Sequence, residues 1–247
     1  MDNVLYESII ELNSIISEVN SEFIYESIML ESEENNIIDV EYKEADKDNN
    51  KKKEESIEKK KSFLEKVKAV WKAFVAAMRK MIKSCLGFIK KNKTEIKETA
   101  EVKIYVTDRT EMLAGFKRLN NDVKSGKAIK NIMNAGRFGD AYVDRSFTRS
   151  FDEKKIPVDK DDAIRILEKQ LNEAEKLISA FDKQVDEFLR DAEIKLRDMD
   201  SNADRLIFNY GVQAVTNARK HYRNLIQEIV TEIQEVASRK NDMKEKE

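Results

Sequence analysis

The sequence predicts a mainly α protein: amphipathic N-terminal helices, a small mixed or helical middle module, and a long C-terminal helical hairpin or coiled coil. Three observations point there. Apolar residues recur at steps of three and four through most of the chain. Charged residues make up 38%, against the ~25% of ordinary domains, with 40% hydrophobic, which favours long exposed helices over a broad core. Six Gly and one Pro in 247 residues supply few of the turns a strand-rich fold needs.

The first element is a leader over residues 1–32. Leu5, Ile9, Leu12, Ile16, Val19 and Phe23 fall on one helical stripe, so residues 3–31 read as an acidic amphipathic helix. Residues 1–50 carry 14 acids and 2 bases, net −12, and residues 51–100 carry 16 bases and 6 acids, net +10, so the overall charge of −2 conceals two opposed blocks. Residues 33–62 are almost wholly charged or amide-bearing and read as a flexible linker, because they hold too little apolar surface to offset their ordering entropy.

Residues 63–99 form a basic amphipathic helix. Leu64, Val67, Trp71, Phe74, Met78, Met81, Cys85 and Phe88 make its stripe, while Lys68, Lys72, Arg79, Lys80 and Lys83 stand mostly off it. Three readings compete for this stretch. The stripe packs inside the fold with Val70, Val75, Ile82 and Ile89. Alternatively it lies on an anionic membrane surface, whose headgroups favour Trp and Phe on one face and Lys or Arg on the other. In the third reading it is a partner helix, masked by the acidic leader, which a flexible tether holds at an effective concentration near millimolar. The longest apolar run, Ala73 to Met78, is far short of the ~20 residues a spanning helix needs.

Residues 100–156 form the middle module. EVKIYV predicts a short strand at 101–106, followed by a helix over 110–123, a turn at Ser125-Gly126 and an irregular stretch. Arg137, Phe138, Tyr142, Arg145, Phe147, Arg149 and Phe151 interleave cations with aromatics, the combination that contacts single-stranded nucleic acid, though Asp140, Asp144 and Asp152 interrupt it. Pro157 and the candidate N-cap Asp159 open residues 157–238. There Leu167, Leu171, Ile178, Phe181, Val185 and Phe188, then Tyr222, Leu225, Ile229 and Ile233, follow a heptad pattern that lapses over 198–204, so two helices and an assembly seam are expected. A charged tail, 239–247, closes the chain.

Catalytic, metal and cofactor residues are not expected, nor is a small-molecule substrate. One His and one Cys cannot build a converging nucleophile or metal set: His221 reads as a helix-surface residue and Cys85 as a small buried hydrophobe. Lys124-Ser125-Gly126-Lys127 is a turn, not a phosphate cradle. The lone Cys and the absence of a secretory N-terminal pattern point to a reducing cytoplasm.

The order of an acidic leader with YESII and IYESI, a charged tether, the basic stretch KVKAVWKAFVAAMRKMIK and a long heptad region resembles virion structural proteins, internal or head-associated, of large tailed bacteriophages of low-GC Gram-positive hosts. The resemblance rests mainly on residues 1–95. It implies a non-enzymatic virion component, found in the particle or in the host cytoplasm during assembly, whose partners are copies of itself or other virion proteins. In such proteins the leader is sometimes trimmed after an Ile-x-Glu or Leu-x-Glu triplet; Ile9-Ile10-Glu11 and Ile24-Tyr25-Glu26 have that form, and neither is assigned as a cleavage site. The alternative from another class is a bacterial regulator that binds a membrane surface or nucleic acid.

Overall fold

Periodicity in the sequence becomes packing in a computed structural model that describes residues 5–21, 23, 50–97, 103–124, 154–195 and 202–238. Among these, α1 covers residues 5–21, and α2 spans Asn50–Lys97. Strand β1 (Ile104–Asp108) leads into α3 (Thr110–Lys124), and β2 (Lys154–Val158) leads into α4 (Lys160–Lys195) and α5 (Asn202–Ser238). Most of the expected linker (33–49), the stretch IYESI, the cation–aromatic series at 137–151 and the charged tail lie outside the described residues.

Helix α2 begins within the stretch expected to be linker. Residues 50–62 are rich in Lys and Glu, strong helix formers, and Glu55 stands four residues before Lys59, a pairing that favours helix. At 1.5 Å per residue its 48 residues run about 70 Å. The stripe holds it in place: Trp71, Met78, Met81, Ile82 and Cys85 are fully buried, and each large side chain contributes roughly 1.5–3 kcal/mol on leaving water.

Side-chain pairings fix the helix directions. Lys61 meets Glu193, Lys72 meets Asp186 and Arg79 meets Ser179, so α2 and α4 run antiparallel. Gln170 and Glu232 share Arg109, and Phe181 stacks on Tyr222 at 5.6 Å, so α4 and α5 also run antiparallel. Helices α4 and α5 are thus the two antiparallel helices expected within 157–238, and residues 196–201 between them lie outside the described residues. Helix α1 lies in the groove between α2 and α5, antiparallel to both: Glu18 meets Lys80, Asn20 meets Arg223 and Asn13 meets Gln234. The four long elements form a bundle with one contiguous core.

The two strands close one end. They pair antiparallel, Ile104 opposite Val158 and Asp108 opposite Lys154. Strand β1 was expected at 101–106 and forms a few residues later; β2 was not expected, because its Pro157 reads as a helix opener. Ile104 and Val106 face the core and Tyr105 faces out. Thr107 donates its N–H to Glu232 and its carbonyl accepts from the Gln170 amide, so both groups point away from Lys155 on β2. The pair two residues on, Tyr105 and Pro157, is of the same kind, so a residue without an N–H is tolerated there. Asp159 caps α4 as expected, its Oδ1 accepting from the Asp162 N–H at 2.7 Å.

Candidate functional site

The sequence leaves three readings for the basic helix: packing inside the fold, a membrane surface, or a partner helix. In this structure Leu64, Val67, Trp71, Phe74, Met78, Met81 and Phe88 are each 5% exposed or less and form the centre of the fold. Helix α2 touches α1, α4 and α5 together, which leaves the stripe no open side. Cys85 lies among them, and burial pushes its thiol up to about 12.

The cations sit on the flanks, and one flank matches α4. Asp182 Oδ1 accepts from the Trp71 indole N–H and from Lys72 Nζ, both at 2.9 Å, and Arg79 lies 3.6 Å from its Oδ2. Lys72 also reaches Asp186 at 2.6 Å. Desolvation works against the Lys72 charge, but the hydrogen bonds to Asp186 and Asp182 outweigh it and hold the ammonium above its ordinary range. Lys68, Lys80, Lys83, Lys90 and Lys91 are exposed.

The acidic leader docks chiefly through apolar contacts. Leu5, Leu12 and Val19 are buried. Phe23 packs 6.0 Å from Phe74, with the guanidinium groups of Arg219 and Arg223 at 4.9 and 4.6 Å from its ring centre. Burial lowers the Arg223 pKa below its usual range. Glu18 meets Lys80 at 2.9 Å, both about half exposed, while Glu7 and Glu11 face solvent. Among the described residues the leader is thus seated by apolar and ring contacts, with Glu18–Lys80 an ion pair at the surface.

A polar network that sequence reasoning missed joins the strands to the helices. Arg109, 6% exposed, donates to Gln170 Oε1 at 3.1 Å and to Glu232 Oε2 at 2.6 Å, and Glu232 Oε1 accepts from the Thr107 N–H at 3.0 Å. Burial alone would raise the Glu232 carboxyl, yet the hydrogen bonds from Arg109 and Thr107 hold it below its usual range. An open cleft of about 430 Å³ adjoins this network, lined also by Lys155, Glu228, Thr231 and Glu235. Arg109 pairs there with Glu232 and, at 3.8 Å, with Glu228, and among the described residues no cluster of His, Cys, Asp and Glu suited to a metal occurs. The partners stand 61 to 125 residues apart in the chain, so no local motif could have shown them.

The candidate assembly residues also turn inward. Leu167, Leu171, Ile178, Phe181 and Val185 on α4 pack with Tyr222, Leu225, Ile229 and Ile233 on α5 inside one chain, and Phe188 is partly buried against the same core. His221 is half-buried. No described helix is long and apolar enough to cross a membrane. No protein-family model matches the chain, and neither a curated protein nor a solved structure shows significant similarity to it.

Proposed function

We propose that the protein is a non-enzymatic structural and interaction protein, a virion component that assembles with copies of itself or with other particle proteins and presents the cationic rim of α2 to an acidic surface. The observation that carries this reading is the division of labour along α2: every apolar residue expected to dock is built into the bundle, while Lys68, Lys80, Lys83, Lys90 and Lys91 remain at the surface. Docking on an acidic protein face or on anionic headgroups then proceeds by charge, at roughly 1 kcal/mol per basic residue near such a lipid surface. Cys85 supports the absence of nucleophilic chemistry, since a buried thiol held near 12 carries almost no thiolate at neutral pH. The virion assignment draws on the layout of residues 1–95.

Mass spectrometry of purified particles tests the assignment, with the protein expected as a stoichiometric component. Absence from particles, combined with flotation of the isolated monomer on anionic liposomes, rejects it in favour of a membrane-surface regulator. Flotation that disappears in moderate salt is the signature of the cationic rim rather than of an inserted apolar face.

A further inference from the structure

Helix α2 turns a second face outward, opposite its buried stripe. From Ser62 to Thr94 its exposed residues are eight lysines, three alanines, Gly87, Ser62, Thr94 and one acid, Glu65. At about 100° per residue, Ala69, Ala76 and Gly87 fall along the middle of that face. Lys66, Lys80 and Lys91 stand on one side of this line, and Lys72, Lys83 and Lys90 on the other. Lys72 is paired with Asp182 and Asp186, and Lys80 with Glu18. Lys83, Lys90 and Lys91 meet no acid among the described residues. The row from Lys66 to Lys91 runs about 37 Å along an unbroken helix.

We propose that this face docks on an anionic lipid bilayer, with α2 lying flat on the headgroups and its apolar stripe left in the core. The inference rests on the reading of α2 as a cationic rim and names the partner. Composition separates lipid from other acidic surfaces. Lysine and alanine are both depleted where proteins bind proteins, and the aromatic, Met and Arg anchors such interfaces favour are missing from the exposed residues here. Nucleic acid is read by Arg, Asn and Gln or stacked on aromatic rings, and these are missing as well. A headgroup layer asks only for positive charge along a flat front. The small central residues let headgroups come close to the helix, while the lysine stems reach out on either side. Phosphates of a duplex wind away from a straight row, whereas a bilayer meets Lys83, Lys90 and Lys91 together.

Flotation of the full-length protein on mixed phosphatidylglycerol–phosphatidylcholine vesicles tests the proposal. Binding is expected there, fading as salt is raised, and none on phosphatidylcholine alone. Lys83→Gln, Lys90→Gln and Lys91→Gln combined should weaken it about 100-fold, from roughly five-fold per lysine. The matching Arg triple keeps the charge and should bind like the native protein. Lys117→Gln, Lys169→Gln and Lys183→Gln remove the same charge from exposed positions on α3 and α4 and should leave binding nearly unchanged. Equal weakening by the two Gln triples overturns the assignment to this face. Lipids with brominated acyl chains should not quench Trp71, which stays in the core; quenching means the stripe has turned into the bilayer and overturns flat docking. Duplex DNA and polyglutamate serve as competing polyanions. Binding to either without binding to the vesicles removes the lipid and leaves the cationic rim standing, whereas binding to none of the three removes both.

Discussion

Asp182 is the place where the α2–α4 contact can be taken apart atom by atom. Its Oδ1 accepts the indole N–H of Trp71, a fully buried residue, and also meets Lys72, whose side chain is 43% exposed. Asp182→Ala leaves the indole donor buried with no acceptor, a loss of about 1–3 kcal/mol. The ion pair to a half-exposed lysine that keeps Asp186 adds at most about 1 kcal/mol. Asp182→Asn retains an acceptor oxygen and removes only the charge, so it is expected to cost no more than about 1 kcal/mol. Trp71 is the single tryptophan, so urea unfolding followed by its fluorescence reports the site itself, with circular dichroism as the global probe. Trp71→Phe and Asp182→Ala in a double-mutant cycle should then couple by more than about 1 kcal/mol. Equal destabilisation by the Asn and Ala variants, or no coupling in the cycle, would refute the claim that a buried donor, not surface charge, holds this flank.

Three other outcomes follow from the same geometry. Gly87 is exposed inside α2, with nothing within 4 Å of an added Cβ; Gly87→Ala should stabilise by about 0.5–1 kcal/mol and raise Tm in a calorimetric melt, and a lower Tm contradicts it. The Glu232 carboxyl is depressed in the folded state below its reference value of 4.5. Its stabilising share is therefore complete above that value and lost as pH falls through the folded pKa. Glu232→Gln should lower stability at neutral pH and flatten the acid limb of the stability curve, and an unchanged acid limb removes the argument. Cys85 should resist a thiol reagent in native protein and react at the rate of unfolding as urea is added; rapid labelling without urea means the bundle opens there far more readily than its packing implies.

Several elements were legible because a local signal decided them. The three-and-four spacing from Leu64 to Phe88 signals a helix whichever apolar surface it meets, and the steps through Ile178, Phe181 and Val185 do the same for α4. Asp159 declared the start of α4, since a side-chain oxygen that satisfies a first-turn N–H needs no distant partner. The break near residues 198–204 likewise announced two helices, and a loop that short favours packing them antiparallel.

What local signals could not decide was partnership. A stripe of Trp71, Phe74 and Met78 is equally suited to a headgroup layer, a second protein or a core; only the arrival of α1, α4 and α5 around it makes it core. Strand β2 exists because β1, some fifty residues upstream, offers it a ladder in which Pro157 stands where no cross-strand N–H is used. The Arg109–Glu232 network exists for the same reason, since its members meet only when β1 docks on α4 and α5. Sequence periodicity determined which residues share a face, because helical geometry is set within a few residues. Tertiary structure alone decided what each face meets, because burial depends on segments that the chain brings together from far apart.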